Sequence, residues 1–189
     1  MKISKMIFDA VSTIFIALAI AIFINMFLIQ PSTVFGESME PTLHNGDFVI
    51  MSKIINTFDI EPDYEDIVII DSRVNVKHSW KDDLLFTLKY NKIANMISKQ
   101  IPEDRYWIKR VIGRAGDVIE LVNGQVYRNG ELLEEPYIYD LMKFTPNQKI
   151  LIPENSIYVL GDNRNHSADS RIIGCIPIEN VIGKLIYKL

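Results

Sequence analysis

The chain has 189 residues and carries 20 Lys plus Arg against 24 Asp plus Glu, so its formal net charge is −4. This length allows one domain with an appendage, and the absence of a basic tract predicts no nucleic-acid partner. Cys175 is the only cysteine, which makes an intrachain disulfide impossible. The three histidines, His44, His78 and His166, lack the spacing of metal ligands, so we expect no metal site.

An apolar segment without charged residues extends from Ala10 to Gly36. A helix over 10–29 would be about 30 Å long, which matches the hydrocarbon core of a bilayer. Lys2 and Lys5 precede this segment, and basic residues beside a membrane span favour the cytoplasmic side. The predicted organisation is a short cytoplasmic N-terminus at 1–9, a transmembrane signal anchor at 10–29 and an extracytoplasmic domain at 31–189.

Two other interpretations of the apolar segment stay open. Ala17-Leu18-Ala19 has the small-x-small pattern of a cleavable signal peptide, although apolar residues continue on both sides of it. A buried helix in the core of a soluble protein has a similar composition. The uncleaved signal anchor is our prediction because of the length and the N-terminal position of the segment.

Short runs of apolar and β-branched residues alternate with turn signals through residues 31–189. Asn123-Gly124 between two such runs is typical of a β-hairpin. Many short strands separated by Gly and Asn turns predict a mainly β fold of folded sheets, partly barrel-like. The predicted strands are Asp47–Ser52, Asp66–Asp71, Tyr106–Ile112, Asp117–Val122, Gln125–Arg128, Ser156–Leu160 and Val181–Tyr187.

The region 73–104 has a different pattern and is predicted to be an insert between strands. Phe86, Tyr90 and Ile93 recur at helical spacing, which predicts an amphipathic helix over 82–100. Because lysines accompany this apolar stripe, we hypothesise that the helix lies on the membrane surface or flanks a substrate groove. A solvated insert packed on its own domain is the alternative.

Ser38 is a candidate nucleophile, since it lies between a glycine-containing turn and the segment that Pro41 makes rigid. An ordinary turn serine would have the same surroundings. Lys109 is a candidate base because strand alternation puts Trp107, Lys109 and Val111 on one face. Apolar neighbours would disfavour its cation and lower its pKa. A lysine that reaches solvent from a strand edge is the alternative.

The segment 161–171 reads G-D-N-R-N-H-S-A-D-S-R and is rich in side chains that donate or accept hydrogen bonds. This density favours a loop that ion pairs and hydrogen bonds hold in one conformation. A solvated turn is the alternative. The expected ion pairs join Asp162 and Asp169 to Arg164, Arg171 or Arg110.

Three motifs together resemble those of the bacterial type I signal peptidases, Ser-Lys dyad proteases of peptidase family S26. They are S-M-E-P-T-L at 38–43, K-R-V-I-G at 109–113 with Gly116-Asp117 following, and the polar segment at 161–171. Their order and the preceding apolar segment also agree. The insert is not covered by the motifs.

The resemblance implies that Ser38 is the nucleophile and Lys109 the general base, a dyad that needs no histidine. The Ser38 backbone N–H would bind the oxyanion. Some relatives add a serine hydroxyl two residues earlier, at the position of Gly36 here, so the second donor in the Gly36 region stays open. Ser167 matches the serine that orients the lysine amine. Supporting positions are Asp162, Arg110, Asp169 and Arg171.

The resemblance also implies the substrates, which are secretory preproteins with small residues at −1 and −3, read by a shallow pair of pockets. It implies a cell-membrane enzyme that acts as a monomer beside the lipid bilayer, with no cofactor and no metal. A second departure is Glu65 before Asp66, where relatives usually have glycine, and it is expected to alter a turn.

Two alternatives to this enzyme stay open. One is a membrane-tethered, non-catalytic binding module on the same fold. The other is a self-cleaving repressor, a class of Ser-Lys protease that needs a DNA-binding domain where this chain has an apolar segment. Cleavage of a separate preprotein, as opposed to self-cleavage, would distinguish them.

Overall fold

An apolar helix, α1 (Lys2–Phe27), precedes two antiparallel sheets in the computed structural model, which describes residues 2–58, 60–76, 105–143 and 148–189. The window Lys5–Ile24 has a mean hydropathy of 2.5 and none of it is buried. The interpretation of this segment as a core helix is therefore wrong, and its length and composition suffice to cross a membrane. The predicted insert helix, 82–100, lies outside the described residues.

Helix α1 ends at Phe27, two residues before Ile29, the predicted end of the transmembrane segment. Ile29 already belongs to strand β1, where it pairs with Ser52 of strand β2. Because this pairing needs an extended backbone, the helix stops at Phe27 although the apolar residues continue.

Within the described residues, two short α-helices and a 3₁₀ turn accompany the strands. They are α2 (Ile54–Thr57), α3 (Ser170–Ile173) and the 3₁₀ turn Ile178–Asn180. The strands are β1 (Ile29–Thr33), β2 (Phe48–Ser52), β3 (Ile67–Asp71), β4 (Tyr106–Gly113), β5 (Val118–Val122), β6 (Gln125–Arg128), β7 (Glu131–Leu132), β8 (Gln148–Leu151), β9 (Ser156–Leu160), β10 (Ile176–Pro177) and β11 (Val181–Lys188).

The mainly β prediction is confirmed. The strand order is β1-β2-β11-β3-β4-β9-β10 in a seven-stranded sheet and β7-β6-β5-β8 in a four-stranded sheet. All seven predicted strands are present, with ends that differ by at most one residue. The prediction missed β1, β7, β8 and β10, which are short or polar and lack the apolar alternation of a half-buried strand.

Four clusters of buried apolar side chains hold the described parts of the sheets together, and the smallest consists of Met51, Ile69 and Ile182. The first joins the two sheets, because it combines Ile112 and Leu160 of the large sheet with Ile119 and Leu121 of the small one. The second covers the other face of β3, β4 and β9. The third is built on Val34, Met39, Leu43 and Val49, and so fixes the segment that contains Ser38 to the large sheet.

Candidate active site

Ser38 lies in a short turn between β1 and β2. Its neighbour Met39 and the nearby Leu43 are buried in the third cluster, and the Leu43 N–H donates to the Met39 carbonyl at 2.9 Å. Gly36 has a φ of +87°, a conformation that glycine adopts without strain. Ser38 itself is half-buried, so the hydroxyl is held by a packed backbone without being closed off from solvent.

Lys109 reaches the Ser38 hydroxyl from strand β4. The distance from Lys109 Nζ to Ser38 Oγ is 2.7 Å, and Nζ also donates to the Ile108 carbonyl at 2.9 Å. Trp107 lies on the same face, as alternation predicts, with its ring centroid 5.7 Å from Nζ. Only 3% of Lys109 is exposed, and the alternative of a lysine that reaches solvent is wrong.

Burial lowers the pKa of Lys109 from 10.5 to about 8, because an ammonium loses its hydration in this position. The negative charge of Asp169 opposes this shift and that of Asp162 does so less, whereas Arg171 adds to it. About one tenth of the amine is therefore neutral at pH 7, and a neutral amine can accept a proton.

Asp162 pairs with Arg110, the residue after the lysine. Arg110 Nε and Nη2 donate to the two carboxylate oxygens at 2.8 and 2.6 Å. Thr42 Oγ1 donates to the same carboxylate at 2.5 Å, and Arg110 also donates to the Glu65 carbonyl at 3.0 Å. This pair joins the nucleophile turn, strand β4 and the polar loop 161–171, and it is buried.

Asp169 pairs with Arg171 and organises the other end of the polar loop. Arg171 Nε and Nη2 donate to the Asp169 carboxylate, each at 2.8 Å. The same carboxylate accepts the Gly161 N–H at 3.1 Å and the Arg171 N–H at 3.3 Å, which caps α3. The loop is therefore a network of buried charges, and the interpretation of a solvated turn is wrong.

Gly161 lets the polar loop approach Ser38. A Cβ atom at this position would lie 2.5 Å from the Ser38 carbonyl oxygen and 2.3 Å from Ser167 Oγ. The Ser38 carbonyl accepts the Asn163 N–H at 3.0 Å. No side chain fits between these atoms, so glycine is required for the two segments to touch.

Ser167 lies beside the site but does not make the contact that the resemblance implies. Its hydroxyl is 3.4 Å from the Ala168 carbonyl, and no hydrogen bond joins it to Lys109 within the described structure. The amine is already bound by Ser38 Oγ and the Ile108 carbonyl. The role of Ser167 in orienting the lysine stays a prediction that would need rotation of its hydroxyl.

The two backbone groups considered as oxyanion donors differ in their contacts. The Ser38 N–H donates to no acceptor among the described residues. The Gly36 N–H, by contrast, donates to Asn45 Oδ1 at 3.1 Å. The Ser38 N–H is thus available for a ligand, and the Gly36 N–H is occupied.

Several residues of the site were missed from the sequence. Glu135 accepts two hydrogen bonds from Arg164, at 2.9 and 2.6 Å, and both side chains are buried. Arg164 in turn donates to the Gly161 carbonyl at 3.0 Å, so this pair supports the polar loop from outside. Tyr137 stacks on Arg110, with the guanidinium carbon 4.0 Å from the ring centroid. Glu135 lies outside the three sequence motifs, and nothing in its neighbouring residues predicts that it pairs with Arg164.

Glu65 lies at a turn position with a left-handed backbone. Its φ is +66°, in the region that favours glycine. Its carbonyl accepts a hydrogen bond from Arg110. The expectation that this departure alters the turn stays a prediction.

Among the described residues, no group of three or more His, Cys, Asp or Glu side chains could hold a metal ion. His44 and His166 are exposed, and His44 lies beside Asp47, with 3.9 Å between Nδ1 and the carboxylate. His78 lies outside the described residues.

Comparison with known proteins gives consistent matches over nearly the whole chain. The family model described as "Signal peptidase, peptidase S26" matches residues 7–189. Signal peptidase I of Bacillus amyloliquefaciens is 31% identical, over 90% of this chain and 78% of that protein. Signal peptidase IB of Staphylococcus aureus (strain COL) is 29% identical, over 97% of this chain and 90% of that protein.

Similar matches come from a cyanobacterium and from a solved structure. The probable signal peptidase I-1 of Synechocystis is 29% identical, over 95% of this chain and 81% of that protein. The crystal structure of a signal peptidase I from Enterococcus faecalis V583 aligns with a TM-score of 0.45 and 23% identity, over 67% of this chain and 97% of that chain. The family match, which spans almost all of the sequence, shows that the chain belongs to the signal peptidase family, peptidase S26.

Proposed function

We propose that the chain is a membrane-anchored endopeptidase that removes N-terminal signal peptides from secretory preproteins, with Ser38 as nucleophile and Lys109 as general base. The observation that carries this proposal is the 2.7 Å distance between Ser38 Oγ and the buried Lys109 Nζ. Membership of the signal peptidase family supports the reaction, and the geometry supports the assignment of these two residues.

Acylation begins with proton transfer from the Ser38 hydroxyl to neutral Lys109. Ser38 Oγ attacks the scissile carbonyl, and the Ser38 N–H donates to the oxyanion that forms. The protonated Lys109 then gives its proton to the leaving amine, which breaks the peptide bond and leaves an ester on Ser38. Lys109 next takes a proton from water, whose attack on the ester releases the signal peptide and restores Ser38.

The charged neighbours of the site have a positioning role in this proposal. The Arg110–Asp162 pair holds strand β4 against the nucleophile turn, and the Arg171–Asp169 pair holds the polar loop. Each carboxylate is neutralised by its own arginine. Within the described residues Lys109 forms no ion pair with a carboxylate, and burial is the largest effect on its pKa.

The membrane anchor would bring enzyme and substrate to one interface. Lys2 and Lys5 lie at the N-terminal end of α1, before the apolar segment that begins at Ala10, and we propose a cytoplasmic N-terminus with an extracytoplasmic catalytic domain. We further propose substrates with small residues at −1 and −3 and a monomeric enzyme. Confining both partners to one bilayer raises their effective concentration, so a modest affinity suffices.

The test is cleavage of a purified preprotein with an A-x-A site by the full chain in vesicles. We expect release of the mature N-terminus by the unmodified chain and loss of about 10³-fold or more in kcat for Ser38→Ala and Lys109→Ala. Lys149→Ala, which removes an exposed lysine, is the matched control and should keep full activity.

Three outcomes would contradict this proposal. An inactive chain that still binds preproteins would favour a tethered, non-catalytic binding module. A Lys109→Ala variant that keeps the unmodified rate would show that another group is the base. Cleavage of the chain itself, without cleavage of a separate preprotein, would instead indicate a self-cleaving protease.

A further inference from the structure

A cavity of about 540 Å³ opens beside the polar loop 161–171. Its lining includes Lys143, Arg164, His166, Ser167, Arg171 and Ile172. Among the described residues that line it there is no aspartate or glutamate. The chain as a whole has a net charge of −4, so a cavity lined by basic side chains contrasts with the rest of the molecule. This local charge favours a ligand that carries a negative group.

Both arginines of the cavity are neutralised by buried carboxylates. Arg164 pairs with Glu135, with 2.6 Å between Nη2 and Oε1. Arg171 pairs with Asp169, with 2.8 Å between Nε and Oδ1. Lys143 differs from them, because it is exposed and its ammonium has no partner among the described residues. Its charge is therefore available to an anionic group from outside the chain.

The backbone at Lys143 is fixed between the polar loop and the β5–β6 hairpin. The Lys143 N–H donates to Asn165 Oδ1 at 2.8 Å, and Asn165 Nδ2 donates to the Leu141 carbonyl at 3.1 Å. Met142 is buried in the first cluster, and its N–H donates to the Gly124 carbonyl at 3.2 Å. Because these contacts order the backbone before any ligand arrives, less conformational entropy is lost when the ammonium binds one.

The cavity lies beside the proposed dyad. Ser167 lines it, and Ser167 Oγ and the Ser38 carbonyl oxygen both lie within 2.5 Å of the position that a Cβ atom on Gly161 would take. Asn165, which holds Lys143, is two residues before Ser167, and two residues of extended chain span about 7 Å. A peptide whose scissile carbonyl lies at Ser38 would therefore bring a residue about two to four positions from that bond within reach of Lys143.

We infer that Lys143 selects substrates that carry an aspartate or glutamate within about four residues of the scissile bond. This inference rests on the proposed function, because it assigns a specificity-determining residue to the same site. The substrate carboxylate binds the Lys143 ammonium, and Ile172, which is 72% exposed in the same cavity, contacts the apolar part of the peptide. An acidic peptide fits better than an anionic lipid headgroup, because the cavity continues to Ser167 beside Ser38.

Cleavage of matched substrates by the full chain in neutral detergent tests this inference. A preprotein with an A-x-A site carries either Glu or Gln at each position within about four residues of the scissile bond, except −1 and −3. For the unmodified chain we expect kcat/KM to be about three- to tenfold higher with Glu than with Gln at one or two positions. An effect on one side of the bond supports the inference and shows whether the mature segment or the signal peptide occupies the cavity.

Variants of the lysine decide whether it causes this preference. Lys143→Gln should abolish the preference for Glu, and Lys143→Glu should replace it by a preference for Lys at the same position. Lys149→Gln is the matched control, since Lys149 is also exposed but lies on β8, and it should keep the preference of the unmodified chain. Equal rates with Glu and Gln at every position, or a preference that Lys143→Gln leaves unchanged, would overturn the inference.

Two further measurements separate this inference from other causes. In phosphatidylglycerol vesicles, a loss for Lys143→Gln that is equal for Glu and Gln substrates would indicate a lipid contact and overturn it. Fluorescence anisotropy of a labelled Glu peptide on the Ser38→Ala chain needs no catalysis, and adding Lys143→Gln should weaken this binding about threefold or more. If that loss is found but the unmodified chain cleaves no preprotein, the proposed function alone is contradicted. Normal cleavage without a preference for Glu would contradict only the inference about Lys143.

Discussion

Strand β4 of the seven-stranded sheet carries two buried basic residues, Lys109 and Arg110, whereas Glu120 and Lys149 of the four-stranded sheet pair across neighbouring strands at the surface. Both sheets bury apolar side chains on one shared interface. Among the strands that the structure describes, those of the large sheet hold charged side chains away from water, and burial there lowers the pKa of Lys109. Burial of charged side chains therefore distinguishes the strands beside the candidate site from those of the supporting sheet.

The largest effect is expected from removing the carboxylate of Asp162. Asp162→Ala leaves Arg110 buried without its partner, which should lower the free energy of unfolding by about 3–5 kcal/mol and abolish peptidase activity. Urea unfolding of the full chain in detergent, followed by circular dichroism, measures the change. Asp140→Ala, at an exposed position, is the control. A loss below about 1 kcal/mol for Asp162→Ala would show that burial of this pair has no energetic weight.

The pH dependence of cleavage should follow the neutral fraction of Lys109. A base with a pKa of about 8 is mostly protonated below that value. The rate should therefore fall about tenfold per pH unit from pH 7 to pH 5 and become constant above pH 9. A pH series of kcat/KM on a preprotein substrate measures this. A profile that is flat between pH 5 and pH 8 would mean that the lysine is not the base.

A smaller effect is expected from the buried pair outside the motifs. Glu135→Gln keeps the shape of the side chain but removes its charge, which should cost about 1.5–3 kcal/mol of stability and shift the Gly161 backbone through Arg164. We expect kcat to fall about tenfold, with KM nearly unchanged, because the loop positions the reacting groups. The exposed neighbour Glu134 supplies the control, Glu134→Gln. Equal kcat values for the two variants would show that Glu135 does not help to position the reacting groups.

The smallest effect is expected in the four-stranded sheet. Lys149→Ala breaks the pair with Glu120, whose Nζ–Oε1 distance is 3.0 Å and whose lysine is 69% exposed. Surface pairs contribute roughly 0–1 kcal/mol, so stability and kcat should both stay close to those of the unmodified chain. Thermal unfolding and the preprotein assay measure them side by side. A loss of stability as large as that of Asp162→Ala would show that ion pairs contribute equally in the two sheets, whether buried or exposed.

Much of the fold could be predicted from local sequence. The apolar N-terminal helix and all seven predicted strands are present, because hydrophobic run length and alternation report directly on burial. β8 could not be found in this way, since Gln148–Leu151 is mostly exposed and is held by its pairing with β5. β1 was not predicted, and its first residue, Ile29, was assigned to the membrane segment, for a related reason. Its extended form depends on β2, which begins 15 residues after β1 ends.

Some features of the candidate site could likewise be predicted from the sequence and others could not. Ser38 and Lys109 were identified from the sequence, and the structure brings them to 2.7 Å although they are 71 residues apart. The set of arginines and aspartates was also predicted, but three pairings were open for each aspartate. The Gly161 contact and the Glu135–Arg164 pair had no local signal at all.

The sequence alone therefore determined which residue types could carry chemistry and which segments could form strands or cross a membrane. Both depend on the side chains themselves and on their local periodicity. Only the tertiary structure decided which aspartate each arginine binds, how deeply Lys109 is buried, and where its pKa lies. Those properties depend on groups brought together from distant parts of the chain, and a charge responds to all of its neighbours and to the loss of water around it.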